Sequence, residues 1–306
     1  MHRSNAQLGT LHHIVAVLGG DLYAGGRRAN VPAPGHSRAD RSVSLLLSEG
    51  RLVVHSFGAA TWQEVLDDLR ARGLLDEGRR LVGASGSAPA APAEDLPHRA
   101  DRIAAAERLW REGGSIRAGS AAALYGATRG FDLTVGCGAL RAHSAAPAAV
   151  YRPGARRHPA LLAAAHDACG RLTAIEVSYL TEDGHRRRMR TPRKLVGVYP
   201  AGSAVRLSPP AATMLVAEGL FTTLSAMRLF GLPGWALLSA HNLARWTPPS
   251  EVREVVIAAD PGAAGGTAAL RLQAALRNAG LRGQVRPPPW GYEDWNALHL
   301  AGHGRT

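Results

Sequence analysis

At 306 residues the chain exceeds one average domain, and two domains, or two with a small N-terminal module, are expected. Hydrophobic residues at 46% and charged residues at 20% are ordinary for a folded protein and argue against a disordered chain. The 36 basic and 24 acidic side chains leave a net charge of +12, which favours a polyanionic partner, either nucleic acid or an anionic membrane surface. Lys194 is the sole lysine, an arginine bias that a GC-rich genome would also give. No segment approaches the ~18–20 uninterrupted apolar residues of a membrane span, and the start, running into His12 and His13, makes a poor signal peptide. With only Cys137 and Cys169 and no CxxC pair, the expectation is a cytoplasmic protein with neither a disulfide scaffold nor a thiolate zinc site, and no membrane partner.

Leu8, Leu11, Val15 and Leu18 recur at helical spacing from Gln7 to Leu18, and Gly19-Gly20 stops the pattern. A loop rich in Gly, Arg and Pro is expected as far as Arg41. Val43, Leu45 and Leu47 then alternate with serines, Glu49-Gly50 reads as a turn, and Leu52 and Val54 resume the alternation, giving a hairpin. Thr61 to Glu64 forms a capping box before a helix whose apolar face is Trp62, Val65, Leu66 and Leu69, ended by Gly73. These make a module over 1–80. Residues 81–97, rich in Ala, Pro, Ser and Gly, read as a linker.

A helix around Ile103 to Trp110 opens a β-rich middle region over 98–207, with turns at Asp167 to Gly170 and Glu182 to Gly184. Leu172 to Leu180 is its clearest strand; Ala160 to His166 fits strand or helix. After Pro209-Pro210 the rhythm changes: strand at Met214 to Ala217, helix at Leu220 to Phe230 closed by Gly231, strands at Trp235 to Ser239 and Val255 to Ala259, helix at Ala268 to Ala279, and a short last strand beginning at Gln284-Val285. Continuous apolar strands alternating with helices predict an α/β fold with a mostly parallel sheet over 208–306.

In such sheets functional groups gather at the carboxyl ends of the strands. Glu218 directly follows the strand Met214 to Ala217, and Asp260 follows Val255 to Ala259. Two carboxylates at one sheet edge suit Mg²⁺, a hard cation that takes oxygen ligands and shares its shell with phosphates. The plainer alternative is that Glu218 caps the next helix and Asp260 its own turn.

Val216-Ala217-Glu218-Gly219-Leu220 with Thr223 to Ala226, and then Ile257 to Gly265, resembles the Toprim fold, and in particular the Toprim domains of phage- and plasmid-type primases. That family carries a Glu after its first strand and an Asp-x-Asp pair after a later one. The resemblance implies catalytic and metal-binding roles for Glu218 and Asp260, but Gly262 stands where the second Asp belongs. Glu293-Asp294-Trp295-Asn296-Ala297-Leu298 resembles the family's terminal Asp-Trp-Asn-Asp segment, and Asp294 would serve as a further Mg²⁺ ligand if that segment folds back onto the crevice. Upstream, His158 to Leu161, Asp167 to Gly170 and the strand to Leu180 resemble the segment preceding Toprim in those proteins.

Pro34-Gly35-His36, Asp40 to Ser44 and Gly50 to His55 resemble the primase zinc-binding domain. That domain needs three thiolates and one imidazole, whereas Ala33 occupies the first Cys spacing and 56–60 contain no cysteine. The expectation is a zinc-free relic held by Leu45, Leu47, Val54 and Trp62, with Arg38 and Arg41 either touching phosphates or lying in a solvated loop.

The densest basic run is Arg186, Arg187, Arg188, Arg190, Arg193 and Lys194, six cations in nine positions with Tyr179 and Tyr199 nearby. As a phosphate track it would bind nucleic acid with a steep salt dependence; the alternative is a solvated or salt-bridged loop. Gly136-Cys137-Gly138 lacks the rest of a dinucleotide fingerprint, and no P-loop lysine exists, which excludes a helicase motor. The reading is a primase-like Toprim protein of a mobile-element or plasmid-type replication system, acting on single-stranded DNA with Mg²⁺ and paired with a replicative helicase. The alternatives are a catalytically silent nucleic-acid-binding accessory protein and a metal-dependent nuclease.

Overall fold

Alternating burial shapes the strands of the first unit. In β2 (Arg28–Val31) and β3 (Val43–Ser48) every second residue is buried, and β4 (Arg51–Ser56) pairs with β3 from Ser48↔Arg51 to Val43↔Ser56. The computed structural model describes residues 11–23, 26–38, 40–48, 50–57, 60–82, 98–151, 154–189 and 191–303, without the side chains of Ala263 and His303. It divides into two units, Met1–Leu96 and Pro97–Thr306.

In the first unit β1 (Asp21–Tyr23) completes an antiparallel sheet in the order β1-β2-β3-β4. Helices α1 (His12–Leu18) and α2 (Trp62–Ala71) supply Leu11, Ile14, Val65, Leu66 and Leu69 to a core with Ala29, Val31, Val43, Leu45 and Leu52. The hairpin and the α2 capping box are as expected: Thr61 Oγ1 accepts from the Glu64 amide at 3.2 Å, and the Glu64 carboxylate accepts from the Thr61 amide. Two expectations are corrected. The segment from Gly20 to Arg41, read as loop, contains β1 and β2, whose three and four residues are too short to show a period. Trp62 is 43% exposed and lies outside the core; as the first helical residue it is covered by the Arg79 guanidinium, 4.9 Å from its ring centre. Of the linker expected at 81–97, Leu81 instead bridges to Leu75 and the Val82 amide donates to the Leu74 carbonyl at 3.2 Å; residues 83–97 and the helix start at 7–10 lie outside the described residues.

The second unit is built on one nine-stranded sheet, ordered β13-β12-β10-β11-β9-β6-β7-β8, with β5 on β6. The antiparallel part comprises β5 (Leu140–Pro147), β6 (Arg157–His166), β7 (Leu172–Tyr179), β8 (Arg193–Gly197) and β9 (Ala204–Arg206). The parallel part comprises β10 (Thr213–Ala217), β11 (Gly234–Ala236), β12 (Glu254–Ala258) and β13 (Arg282–Arg286). Strands on both sides of residue 207 thus share a sheet, and β6 resolves the strand-or-helix ambiguity at Ala160 to His166 in favour of strand.

Six helices cover the two faces. α3 (Arg99–Glu112) packs with Leu162, Ile175, Val177 and Tyr179. On the same face, α6 (Ala240–Leu243) and α7 (Ala263–Asn278) pack with Met214, Val216, Val255 and Ile257. The other face carries α4 (Ala121–Thr128) with Leu161, Ala163 and Ala174, and α5 (Leu220–Phe230) with α8 (Trp295–His303) over Leu215, Ala217 and Val256. Helix α5 has the expected bounds and ends at Gly231, whose φ of +65° suits a residue without Cβ. The strand expected to Ser239 stops at Ala236, because Leu238 takes φ +55° and Ser239 turns the chain into α6 by accepting from the Asn242 amide at 3.2 Å. Helix α7 starts five residues before Ala268, its first turn masked by Gly265 and Gly266. Helices α4, α6 and α8 were not anticipated; they are short, and α4 is mostly small apolar residues with no polar face.

Candidate active site

Strands β10 and β12 are adjacent and parallel, with Ala217 opposite Ala258, so Glu218 and Asp260 leave the same sheet edge within one residue of each other. Both carboxyls are pushed above the usual carboxylate range. For Glu218 the main cause is burial, followed by the charge of Asp260; for Asp260 it is burial, followed by the charge of Asp294. Neither acid caps its own helix through its side chain, since α5 and α7 both begin at glycines, Gly219 and Gly262. Instead Asp260 accepts from Thr222 Oγ1 at 3.3 Å, and the Ala240 amide favours ionised Glu218. The backbone here is held tightly: the amides of Leu237 and Leu238 donate to the carbonyls of Ala217 and Glu218, both at 2.8 Å. Leu238 is in the left-handed region, which costs a β-carbon-bearing residue on the order of 1 kcal/mol and is found where function fixes the chain.

The terminal segment does fold back. Asp294 caps α8 by accepting from the Ala297 amide at 2.7 Å, and its charge reaches Asp260. Trp295 is buried against Phe230 of α5, their ring centres 5.0 Å apart. Asn296, 1% exposed, donates to the Arg129 carbonyl at 2.8 Å and to Ser225 Oγ at 3.1 Å, tying α8 to α4 and α5. The segment therefore brings Asp294 to the crevice while the next two residues, Trp295 and Asn296, anchor it.

Beside these acids lies a cavity of about 210 Å³ lined by Tyr125, Arg129, Glu176, Ser178, Arg186, Arg193, Thr222 and Asp294, among others. Glu176 was not singled out in the sequence. It is buried in the middle of β7, its carboxyl pushed up mainly by burial and offset by Arg193, whose Nε lies 3.7 Å from Oε2. Arg193 also lowers the cost of ionising Glu218 and Asp260. The signal available in sequence was an acid inside an otherwise apolar strand.

The basic run does not form one track. On β7 and β8, side chains alternate between faces. Arg193 pairs with Ser178 on the cavity side, and Arg186 reaches the cavity by donating to Tyr125 Oη at 3.1 Å. Lys194 points to the opposite face, donating to the Ala148 carbonyl at 2.7 Å with Tyr179 5.2 Å below it, and burial lowers its pKa to about 8. Arg187 acts electrostatically on His158, which stacks edge-on against Tyr179 on that same side. Arg188 is exposed, and Arg190 lies outside the described residues. In the first unit, Arg38 donates to the Val17 carbonyl at 3.1 Å and Arg41 pairs with Asp21 at 3.0 Å, so both are engaged in holding the chain. His36 is 3.1 Å from Asp40, which also accepts from Ala33 and Ser42.

No three His, Cys, Asp or Glu side chains among the described residues gather closely enough to hold a metal ion by themselves. Glu218 and Asp260 nevertheless fit Mg²⁺ chemically. They are hard oxygen donors, desolvated and mutually repelling, and this ion is held by one or two carboxylates with the rest of its shell left to water and phosphate. Gly262 has φ −69° and ψ 149°, and a Cβ there would meet nothing within 4 Å, so no backbone requirement excludes a side chain.

Residues 213–304 match the Toprim domain family, and residues 100–207 match a domain of unknown function, DUF7146. The parallel α/β part of the second unit is a Toprim domain. Among solved structures, the chain is similar to the primase fragment of the bacteriophage T7 primase-helicase at 17% identity and TM-score 0.41, over 58% of this chain and 70% of that one. It is similar to the zinc-binding and RNA polymerase domains of Aquifex aeolicus primase at 14% identity and TM-score 0.42, over 99% and 83%. It is also similar to the RNA polymerase domain of Mycobacterium tuberculosis primase DnaG at 18% identity and TM-score 0.42, over 66% and 78%. No curated protein matches.

Proposed function

We propose that the chain is a primase-like protein of a mobile-element or plasmid-type replication system that binds single-stranded DNA and performs Mg²⁺-dependent nucleotidyl transfer. The observation that carries this reading is the pair Glu218 and Asp260 at the ends of adjacent parallel strands within the Toprim match. These two carboxylates would hold the ion, with Asp294 at the margin. When bound, Mg²⁺ would neutralise charge on the reacting phosphate. Glu218, buried and with a raised pKa, suits a general base that takes the proton of an attacking hydroxyl. Arg186 and Arg193 would orient phosphates from the cavity wall. A replicative helicase is the expected partner, and the first unit is read as a primase zinc-binding module that has lost its zinc.

One observation favours a second reading, a silent nucleic-acid-binding accessory protein: Gly262 leaves the acid constellation without the ligand beside Asp260. Primer synthesis on a single-stranded template, run with Mg²⁺ or Mn²⁺ and with Glu218→Gln as control, decides between them. Synthesis abolished by the substitution supports the enzyme; binding without synthesis in the wild type supports the accessory protein.

A further inference from the structure

The loop from Arg286 to Asp294 leaves β13 at the sheet edge that carries Glu218 and Asp260. At its tip stands Trp290, 101% exposed, more than any other large hydrophobic side chain among the described residues. Its position is fixed by the backbone. Tyr292 donates its amide to the Pro289 carbonyl at 3.3 Å, closing a turn over Trp290 and Gly291. Gly291 has φ +95°, the left-handed conformation that a type II turn needs at its third position, where glycine is favoured. Pro287, Pro288 and Pro289 stiffen the approach, each with φ locked by its ring. The indole is thus presented to solvent on a braced support, although burial is what so large an aromatic ring ordinarily favours.

Its surroundings indicate the ligand. Asp294 lies four Cα–Cα steps along the chain from Trp290, so their Cα atoms are at most about 14 Å apart. The cavity that Asp294 lines also holds Arg129, Arg186 and Arg193, and Arg286 is exposed at the start of the loop. An aromatic platform beside a groove lined with arginines is the combination that holds single-stranded nucleic acid: cations take phosphates and the ring takes a base, whatever the sequence.

We propose that Trp290 is a stacking platform for one base of a single strand entering or leaving the Glu218–Asp260 crevice. The inference rests on the nucleic-acid reading above and adds a site to it. Binding of a labelled oligothymidylate and of a phosphodiester strand of the same length without bases is measured by anisotropy for wild type, Trp290→Ala and Trp290→Phe, over a salt series. The wild type should prefer the base-bearing strand by about tenfold, in line with one stacked base. Trp290→Ala should lose that preference while keeping its salt slope, since no phosphate contact is removed. Trp290→Phe should retain most of it. The turn is solvent-exposed, so circular dichroism should be unchanged. Equal preference in wild type and Trp290→Ala would overturn the inference alone, as would a loss of self-association in Trp290→Ala on sedimentation, which would make the face a protein contact. Wild type that binds neither strand would remove the nucleic-acid reading and this inference with it.

Discussion

Replacing Gly262 with Asp adds the acid that the Asp-x-Asp pattern lacks, and its consequences can be worked from the local geometry. Gly262 is the N-cap of α7, extended at φ −69° and ψ 149°, and no side chain now caps that helix. An aspartate would accept from the free amides of the first turn and meet the positive end of the helix dipole. Together with the reduced freedom of the unfolded chain, this is worth about 1–2 kcal/mol. Against it stands repulsion from Asp260, two residues away. Carboxylates about 6–7 Å apart at an effective dielectric of ~40 repel by about 1.3 kcal/mol. In EDTA the two contributions nearly cancel, and the melting temperature should move by no more than a few degrees. With Mg²⁺ the repulsion becomes attraction to a shared ion. A tenfold gain in affinity, about 1.4 kcal/mol, would add about 3–5 °C at saturating metal for a unit of this size. Thermal unfolding of wild type, Gly262→Asp and Gly262→Asn with and without Mg²⁺ separates cap from ligand, because asparagine caps as well and carries no charge. A Mg²⁺ increment in Gly262→Asp no larger than in Gly262→Asn would refute the claim that position 262 faces the metal.

Three further outcomes are expected. Arg186→Ala should lower the slope of log affinity against log salt for single-stranded DNA by about 0.7, whereas Arg187→Ala, on the other face, should leave it unchanged. Lys194 has its pKa pushed down by burial to about 8 from an ordinary 10.5. The unfolded chain therefore holds the proton between those values and the folded one releases it, so urea midpoints of the wild type should rise from pH 8 to 10 more steeply than those of Lys194→Met. Asn296→Ala should lower stability by about 2–3 kcal/mol in a denaturant titration, since it leaves the Arg129 carbonyl and Ser225 hydroxyl unpaired in a buried place.

How much of this was legible in the sequence depended on the range of the interaction. The parallel part was readable because Met214 to Ala217 and Val255 to Ala258 are buried on both faces and run unbroken, with α5 closed by a glycine at a fixed place. Glu218 and Asp260 followed from the rule that strand ends carry chemistry. Glu176 did not, nor did the placing of Arg193 beside it, because they meet only through the pairing of β7 with β8, and the alternation that aims Arg193 at the cavity also sends Lys194 away. A run of cations in sequence is therefore not a patch in space when it enters a strand. Trp62 failed for a related reason: its helical phase was right, but the first residue of a helix lies at the margin of what the helix covers.

The charge inventory of the crevice links nucleic-acid binding to the metal. Arg129, Arg186 and Arg193 share the cavity with Glu176 and Asp294, and Arg193 also acts on Glu218 and Asp260, so three cations stand among four acids. With all ionised, three positive against four negative leaves one negative charge, a poor receptor for phosphates; one divalent cation reverses it to one positive. The carboxyls of Glu218 and Asp260 are raised first by burial and then by a neighbouring acid, Asp260 and Asp294 respectively, as expected where negative charge is crowded in a desolvated place. Glu218→Gln should therefore tighten binding of single-stranded DNA in EDTA, because it removes a repelling charge without touching an arginine. In Mg²⁺ at matched ionic strength the order should reverse, because the wild type recruits the ion and the variant holds it weakly. Affinities measured under both conditions test this crossover. The same order in both would mean that Glu218 does not couple the metal to the strand, and that the arginines bind phosphates independently of the acids beside them.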